Sequence, residues 1–365
     1  MPVMHKKITA LQLYYVIIIS IAITDHVLLI PVLLHYGKRD SWVGAGLSLL
    51  PTLVWICLLF IVIRRSGQQN MLLWVRQRYG SFLTSLLKLI IIGIAGTHAA
   101  ITLQDMVTWT HISYLPRTPP LMISLAFMLF CFFAAREGIR AIAITSGILL
   151  PVVVLLGYFV MGANFQYKDY SLLTPLFTHG YGPTIQTLYL SCGASFELIS
   201  IVFLQHHVDT RIKLPALLII GGCLVGLTIG PLIGAIAIFG PFEGEELRYP
   251  AFEQWRMVTL GKYISHLDFL SIFQWISGAC VRMSMLMFII IDALMIRKKS
   301  SRTLLLVGIS LLFVSVCLLP ITDNQMVYFI QTWYYPMMFP VGAGLLGVLL
   351  LLSILPGKRK EKVTK

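Results

Sequence analysis

The residues of this chain most able to do chemistry lie inside an apolar run, Pro183–Leu204. Ser191, Gly193, Ser195 and Glu197 interrupt that run near its middle. A glycine in a helix interior costs about 1 kcal/mol relative to alanine. An ionisable side chain at membrane depth costs about 2.5–3.5 kcal/mol on insertion scales. Residues this costly indicate a functional site, so we interpret the interruption as part of a ligand-binding site.

The first apolar run has a comparable interruption, where Thr24, Asp25 and His26 are followed by Pro31. Two interrupted helices at corresponding positions of two halves are typical of the central site of a membrane transporter. Their broken ends present backbone N–H and C=O groups to a ligand. Asp25 is then a candidate to bind a substrate ammonium group or a cation. The alternative is that Asp25 lies near the outer water and is simply solvated.

Glu197 and Arg282 are predicted to lie at similar depths in the membrane. Each is about 13–14 residues from the outer end of its apolar run, which corresponds to about 20 Å at 1.5 Å per residue. A buried charge needs a partner of opposite sign, so the matched depths predict that the two side chains pair. The pair is either a gating or carboxylate-binding element, or a static structural contact.

Further polar residues lie in the third and eighth runs. Thr97 and His98 could line the same cavity, although a lone histidine is also explained by hydrogen-bonded packing. Asp105 and Asp292 lie near the ends of their runs, where we expect headgroup water to solvate them. The predicted ligand-binding set is Thr24, Asp25, Thr97, His98, Ser191, Gly193, Ser195, Glu197 and Arg282.

No enzyme chemistry is predicted. The chain has no P-loop, H-E-x-x-H or G-x-S-x-G motif, so no catalytic residue is expected. The cysteines lie singly within apolar runs, and neither a metal site nor a cofactor is expected.

The amino-acid composition predicts which kind of secondary structure carries these residues. The chain has 365 residues, of which 58% are hydrophobic and 12% charged, whereas a soluble domain has about 25% charged residues. Long apolar runs without alternation are helices when they cross lipid. We therefore predict an all-α membrane protein with ten transmembrane helices. The runs are Ile8–Leu34, Val43–Ile63, Phe82–Ile112, Pro120–Ala135, Ile139–Met161, Pro183–Leu204, Leu214–Phe239, Phe269–Ile296, Thr303–Ile321 and Tyr335–Leu355.

The lysine and arginine residues predict the orientation. Of the 28, 20 lie on the side of the termini, in the terminal segments, the loops or the adjoining ends of runs, 7 lie on the opposite side, and Arg282 lies inside a run. Positively charged loops are cytoplasmic, so both termini are predicted to be cytoplasmic. The net charge of +13 is spread between the runs rather than gathered in one patch. This distribution favours contact with membrane lipid and no nucleic acid partner.

Two stretches outside the runs have a composition of their own. Asn70–Ser81 is predicted to form either a basic amphipathic helix on the cytoplasmic interface or a plain connecting helix. Phe242–Lys262, on the outer side, is the longest polar loop.

A set of short motifs lies in a fixed order along the chain. The motifs are Leu29-Ile30-Pro31, Gly37 to Trp42, Leu247-Arg248-Tyr249-Pro250, Trp255-Arg256, Gly261, Leu267-Asp268, Gln274-Trp275-Ile276, Phe339-Pro340 and Lys358-Arg359-Lys360. Together they resemble the endospore germination permeases, the B subunits of nutrient germinant receptors in the amino acid–polyamine–organocation superfamily. Arg282 lies where that family tends to have a basic residue. The chain has Ile23-Thr24 where the family usually has isoleucine-glycine, a single glycine in the sixth run, and no lysine in the fifth.

The resemblance implies one polytopic domain, residues 1–365, with two inverted five-helix repeats at about residues 8–161 and 183–355 and with discontinuous first and sixth helices. It implies a subunit that binds a small polar nutrient, such as an amino acid, in the inner membrane of the endospore and triggers germination. A larger membrane subunit and a lipoprotein subunit are the implied partners. The alternative is an ion-coupled amino-acid permease of the vegetative cell membrane.

Overall fold

The computed structural model describes residues 7–261, 263–296 and 298–356, and nearly all of them are helical. Within those ranges the only β-type pairing is two isolated bridges, so the protein is all-α as predicted. The α-helices of the described chain are α1 Ala10–Ile23, α2 Ile30–Gly37, α3 Ser41–Leu47, α4 Leu49–Ser66, α5 Met71–Tyr79, α6 Ser81–Ser113, α7 Pro120–Glu137, α8 Ile139–Ala163, α9 Gly182–Ser195, α10 Ser200–Leu204, α11 Leu214–Glu246, α12 Pro250–Arg256, α13 Phe269–Ala293, α14 Lys299–Cys317, α15 Asp323–Phe329 and α16 Tyr335–Ile354.

Short helical segments with a different hydrogen-bond pattern join some of these helices. The first span consists of α1, a π-helix at Thr24–Leu29 and α2, and the sixth consists of α9, a 3-10 helix at Phe196–Ile199 and α10. The predicted discontinuities of these two spans fall at these points. Both take the form of a tighter or wider helical turn rather than an extended segment. The other segments of this kind are the 3-10 helices Lys38–Asp40, Asn164–Tyr167, Tyr170–Leu173 and Gln205–His207 and the π-helix Ile330–Tyr334.

The number of membrane crossings follows from helix length. Nine helical segments in the described part of the chain are long and apolar enough to cross a membrane. The first of them, Ala10–Ser66, has 57 residues, whereas one crossing needs about 20. The backbone leaves the helical conformation within this segment, at Lys38 (φ 48°, ψ −128°). The segments are therefore consistent with the ten predicted crossings.

Hydrogen bonds between segments far apart in the chain define one end of the bundle. The Ile8 N–H donates to the carbonyl of His207 over 2.9 Å and joins the start of the first span to the end of the sixth. The Tyr79 hydroxyl, before the third span, donates to the carbonyl of Leu352 at the end of the tenth over 2.6 Å. The ten-span topology places all four residues on one side, the side whose charge predicts the cytoplasm.

The opposite end is joined in the same way. Lys38, after the first span, lies 3.6 Å from the carboxylate of Glu245, after the seventh. The Tyr114 hydroxyl, after the third span, donates to the carbonyl of Asp268, before the eighth, over 2.9 Å. The structure thus groups the loops at the two ends in the alternation that the sequence predicts.

Which end faces the cytoplasm is tested by labelling single cysteines at exposed positions. Thr178 and Ser265 are exposed at one end, and Gln69 and Ser300 at the other. We expect an impermeant maleimide to label cysteines at Thr178 and Ser265 in intact cells, and those at Gln69 and Ser300 only after permeabilisation. The reverse pattern would invert the orientation. Equal labelling of Ser265 and Ser300 would mean that a span had been miscounted.

The spans differ in how far they are shielded from lipid. In the most apolar window of α13, 83% of residues are buried, and in Gly182–His207 the share is 72%. In the windows of Ile139–Tyr167 and α14 it is 22%. The sixth and eighth spans therefore lie in the interior of the bundle, and the fifth and ninth lie at its periphery. The two interior spans are those that carry Glu197 and Arg282.

Candidate functional site

A buried ion pair joins the sixth and eighth spans. The guanidinium of Arg282 donates two hydrogen bonds to the carboxylate of Glu197, Nη1 to Oε2 over 2.5 Å and Nη2 to Oε1 over 2.7 Å. Arg282 is 1% exposed and Glu197 is 6% exposed. The contact predicted from matched depths is therefore present. Paired hydrogen bonds to a carboxylate are the strongest arrangement open to an arginine.

The remaining donors of Arg282 reach two further spans. Its Nε donates to the hydroxyl of Thr102 on α6 over 3.0 Å, and its Nη1 donates to the carbonyl of Ser20 on α1 over 3.1 Å. The Thr24 N–H bonds to the carbonyl of Ile21 rather than to that of Ser20, the acceptor in a regular α-helix. The irregular turn of the first span thus frees a carbonyl that accepts from the guanidinium.

Sequence reasoning missed Thr102 and the carbonyl of Ser20, and a signal was present only for Thr102. Thr102 lies four residues after His98 on α6, and residues four apart share one face of a helix. Thr102 was therefore a candidate for the same site. Ser20 contributes a backbone carbonyl, which any residue carries, so the residue type gives no signal there.

The first span places Thr24 and Asp25 in a buried π-helix. Asp25 is 5% exposed and Thr24 is 2% exposed, so the alternative of a solvated Asp25 is wrong. Asp25 interacts electrostatically with Glu197 and Arg282. Its Oδ1 and the Thr24 hydroxyl have no hydrogen-bond partner among the described residues. Single-turn π segments are frequent at functional sites, and unpaired buried polar atoms are costly unless a ligand satisfies them.

A cavity of about 480 Å³ lies between α6, α10, α13 and α16 and reaches the ion pair. Most of its lining is apolar, and its polar edge includes Thr97, His98 and Glu197. The His98 Nδ1 lies 3.5 Å from Glu197 Oε1. The His98 ring packs edge-on against Tyr334 at 5.5 Å between centroids. Thr97, His98 and Glu197 therefore line one cavity, as the sequence predicts for the first two.

The other predicted residues of the sixth span have different surroundings. Ser191 is buried, and its hydroxyl has no partner among the described residues. The Ser195 hydroxyl is hydrogen-bonded to that of Thr52 on α4 over 2.9 Å and donates to the carbonyl of Ser191 over 3.2 Å. A Cβ at Gly193 would lie 3.1 Å from the backbone nitrogen of Phe339, so this glycine lets α9 approach α16 closely.

Asp105 is another correction to the sequence prediction. It is 3% exposed, not solvated, because the loop after the seventh span folds back over it. Arg248 Nη2 donates to Asp105 Oδ1 over 2.8 Å, and Arg248 Nε donates to Asp323 over 3.2 Å. The Tyr249 hydroxyl also donates to Asp105, over 3.3 Å. This cluster ties the third and tenth spans together above the buried pair.

The charge of Arg248 is stabilised in this outer cluster. Burial alone would lower its pKa, but the neighbouring Asp105, with Tyr249 and Asp323, raises the pKa above the ordinary value. Burial, together with the Asp105 carboxylate, raises the pKa of Tyr249 above its ordinary range. Arg248 is thus cationic and Tyr249 neutral at every physiological pH.

The fold and the buried polar site define the chain as a polytopic membrane protein with the fold of secondary transporters. Its structure superposes on that of MhsT in complex with L-phenylalanine with a TM-score of 0.63 at 12% identity, covering 96% of this chain and 92% of that one. It also superposes on a Na⁺-coupled sialic acid symporter in a substrate-bound outward-open state with a TM-score of 0.57 at 12% identity, covering 94% and 78%.

The chain belongs to the spore germination protein family, whose model matches residues 7–326. It is 40% identical to spore germination protein XB of Bacillus anthracis over 351 residues, which are 96% of this chain and 98% of that protein. The resemblance identified from its motifs is confirmed.

Proposed function

We propose that this protein is the membrane-embedded subunit of a nutrient germinant receptor, and that it binds a small polar nutrient, an amino acid, to trigger germination. The observation that carries the proposal is the cavity of about 480 Å³ that reaches Glu197 and is lined by Tyr334, which interacts electrostatically with Asp25, in a member of the spore germination protein family. Ligand pockets typically measure about 300–1,000 Å³ and combine apolar walls with a few polar groups. No catalytic chemistry is part of this function.

The polar groups suit an amino acid. The Asp25 carboxylate would bind the ammonium group, and the Thr24 and Ser191 hydroxyls would supply further hydrogen bonds. Tyr334 lines the cavity and interacts electrostatically with Asp25, which connects the charged group to the apolar space. An apolar side chain would occupy the space lined by residues such as Met285 and Trp333. The same fold has been solved with L-phenylalanine bound in MhsT.

The wider arrangement follows from the family resemblance. The two repeats, at about residues 8–161 and 183–355, would be related by inversion and would place the first and sixth spans at the centre of the site. The receptor would be completed by a larger membrane subunit and a lipoprotein subunit. It would lie in the inner membrane of the endospore, with both termini in the cytoplasm.

Deleting the gene should abolish the germination response to one set of nutrients and leave vegetative growth on those nutrients intact. The measurement is loss of spore phase-brightness against a panel of amino acids, sugars and nucleosides, with growth on each as sole source recorded in parallel. Complementation with the wild-type gene is the control. A growth defect with normal germination would contradict the receptor proposal.

Asp25→Asn tests the ligand site within the same strain. It removes the charge but keeps the size of the side chain, and a hydrogen bond to a charged group is worth about 1.5–3 kcal/mol. We expect the nutrient concentration for half-maximal germination to rise by about 10-fold or more at unchanged abundance. Asp209→Asn, at an exposed position on the cytoplasmic side, is the matched control. Equal responses from the two variants would exclude Asp25 from recognition.

The second candidate function is an ion-coupled amino-acid permease, which the shared fold with a Na⁺-coupled symporter favours. A permease would accumulate labelled substrate in vesicles when an ion gradient is applied. A receptor that only senses its nutrient would bind it with no dependence on the gradient. Uptake of the germinant by purified protein in vesicles therefore separates the two functions.

A further inference from the structure

The cytoplasmic ends of the sixth and eighth spans meet in a cluster that the sequence alone does not suggest. His206 and His207 lie in the 3-10 helix Gln205–His207, and Asp292 lies near the end of α13. The Nε2 atoms of the two histidines lie 3.1 Å and 3.3 Å from the same carboxylate oxygen, Asp292 Oδ2. One ligand atom from each residue lies within 4.8 Å of the other two. Asp292 is therefore engaged by side chains instead of headgroup water.

The hydrogen bond between Asn70 and His206 assigns the tautomer of one histidine in this cluster. The Asn70 Oδ1 accepts from the N–H of Leu73 over 3.1 Å at the start of α5, which turns its amide Nδ2 towards His206. That Nδ2 lies 3.0 Å from His206 Nε2, so with the amide in this orientation Nε2 accepts from Asn70 and carries no proton. The contact of 3.1 Å between this Nε2 and Asp292 Oδ2 then contains no hydrogen bond, and a cation bound to both atoms would make it favourable.

We propose that His206, His207 and Asp292 bind a divalent transition-metal ion, with Zn²⁺ as the best fit. Tetrahedral Zn²⁺ has bonds of about 2.0–2.1 Å to histidine nitrogen and carboxylate oxygen, which places neighbouring ligand atoms about 3.3 Å apart. The nitrogen–oxygen distances of 3.1 Å and 3.3 Å match this spacing. Two imidazoles and one carboxylate favour zinc or iron over calcium and magnesium. A bound ion would replace the hydrogen bond from Asn70, because the lone pair of His206 Nε2 would then bind the metal.

The position of the site would let a bound ion connect two of the spans. It would link the cytoplasmic end of the sixth span to that of the eighth, the two spans that also carry Glu197 and Arg282. An ion bound there would hold the inner end of the bundle closed. The guanidinium of Arg302 lies 3.7 Å from Asp292 Oδ1 and contributes a positive charge that opposes metal binding.

The test uses the full-length protein, purified in detergent and stripped with a chelator. Zn²⁺ content by mass spectrometry should reach one ion per chain, and Co²⁺ should give the visible absorption of a four- or five-coordinate site. His207→Ala should weaken binding by about 10-fold or more. The matched control is His179→Ala, at an exposed position on the outer side, which should bind as the wild type does.

Arg302→Gln gives a second measurement of metal binding, which separates loss of the site from misfolding of the histidine variant. Removing a positive charge 3.7 Å from a ligand carboxylate should tighten Co²⁺ binding by about 3-fold or more, a gain that a misfolded protein would not show. Absence of Co²⁺ binding by the wild type at concentrations on the order of 100 µM would overturn the proposal. Equal binding by His207→Ala and His179→Ala, or no gain in Arg302→Gln, would also overturn it.

Discussion

Glu197→Gln is expected to lower the amount of folded protein in the membrane sharply, and Arg282→Gln should do the same. Each change leaves the other charge buried and unpaired, which costs about 3–5 kcal/mol. That is a large part of the stability of a typical protein, about 5–15 kcal/mol. The double variant should lose less than the sum of the two, because no unpaired charge remains.

Membrane abundance and thermal unfolding in detergent are the measurements for the three variants. The matched control is the outer pair of Glu253 and Arg256, whose charged groups lie 3.0 Å apart with side chains 27% and 60% exposed. Exposed pairs contribute about 0–1 kcal/mol. Glu253→Gln, Arg256→Gln and their double variant should therefore unfold close to the wild-type temperature.

The germination response of the double variant separates two roles of the buried pair. Restored abundance with no response to nutrient would make the pair part of the recognition site as well as of the fold. Restored abundance with a full response would make it structural, and recognition would then rest on Thr24, Asp25 and the backbone around Gly193. Strictly additive losses would contradict the contact between the two side chains.

The grouping of the loops at two ends and this ion pair were predictable because each depends on a quantity that can be counted along the chain. The spans, and the alternation of the loops between the two ends, follow from run length. The pairing of Glu197 with Arg282 follows from depth, combined with the high cost of an unpaired charge in the membrane. The burial of Thr24 and Asp25 and the place of His98 on the cavity agree with the same reasoning about polar groups inside apolar runs, and their role in binding stays a prediction.

The parts that were not predictable depend on how helices turn about their axes and on how loops fold back. Asp105 lies near the end of its span, so its depth predicts that headgroup water solvates its carboxylate. It is buried because Arg248, in a loop well over a hundred residues later, covers it. The cluster of His206, His207 and Asp292 requires two span ends to meet, and sequence spacing carries no information about that. Gly193 and Ser195 are predicted ligand residues, and the structure adds their packing contacts with α16 and α4, which the sequence does not predict.

Gly44→Ala is expected to cause a large loss of stability, because two helices pack closely at this residue. This glycine lies on α3 where it crosses α9. A Cβ there would lie 2.5 Å from the carbonyl oxygen of Thr184 and 2.9 Å from the backbone nitrogen of Leu188, and it would also overlap the Thr187 hydroxyl. Overpacking typically costs about 1–3 kcal/mol. We expect Gly44→Ala to reach about 3 kcal/mol, because backbone atoms cannot rotate away as a side chain can.

Gly46→Ala is the matched control, since the same helix carries both glycines. A Cβ at Gly46 would meet only Ile229, at 3.8 Å. Alanine is favoured over glycine in a helix interior by about 0.5–1 kcal/mol, so this variant should be as stable as the wild type or slightly more stable. Thermal unfolding and membrane abundance should therefore change in opposite directions at two positions only two residues apart.

Thr187→Ala in the Gly44→Ala background shows whether contacts with backbone atoms cause the loss of stability in Gly44→Ala. The added change removes the hydroxyl that a Cβ at Gly44 would overlap, but it leaves the carbonyl of Thr184 and the N–H of Leu188 in place. Because small residues let the backbones of membrane helices approach closely, little of the lost stability should return. Full recovery would show that only the Thr187 side chain is in the way, and that α3 and α9 can separate without cost.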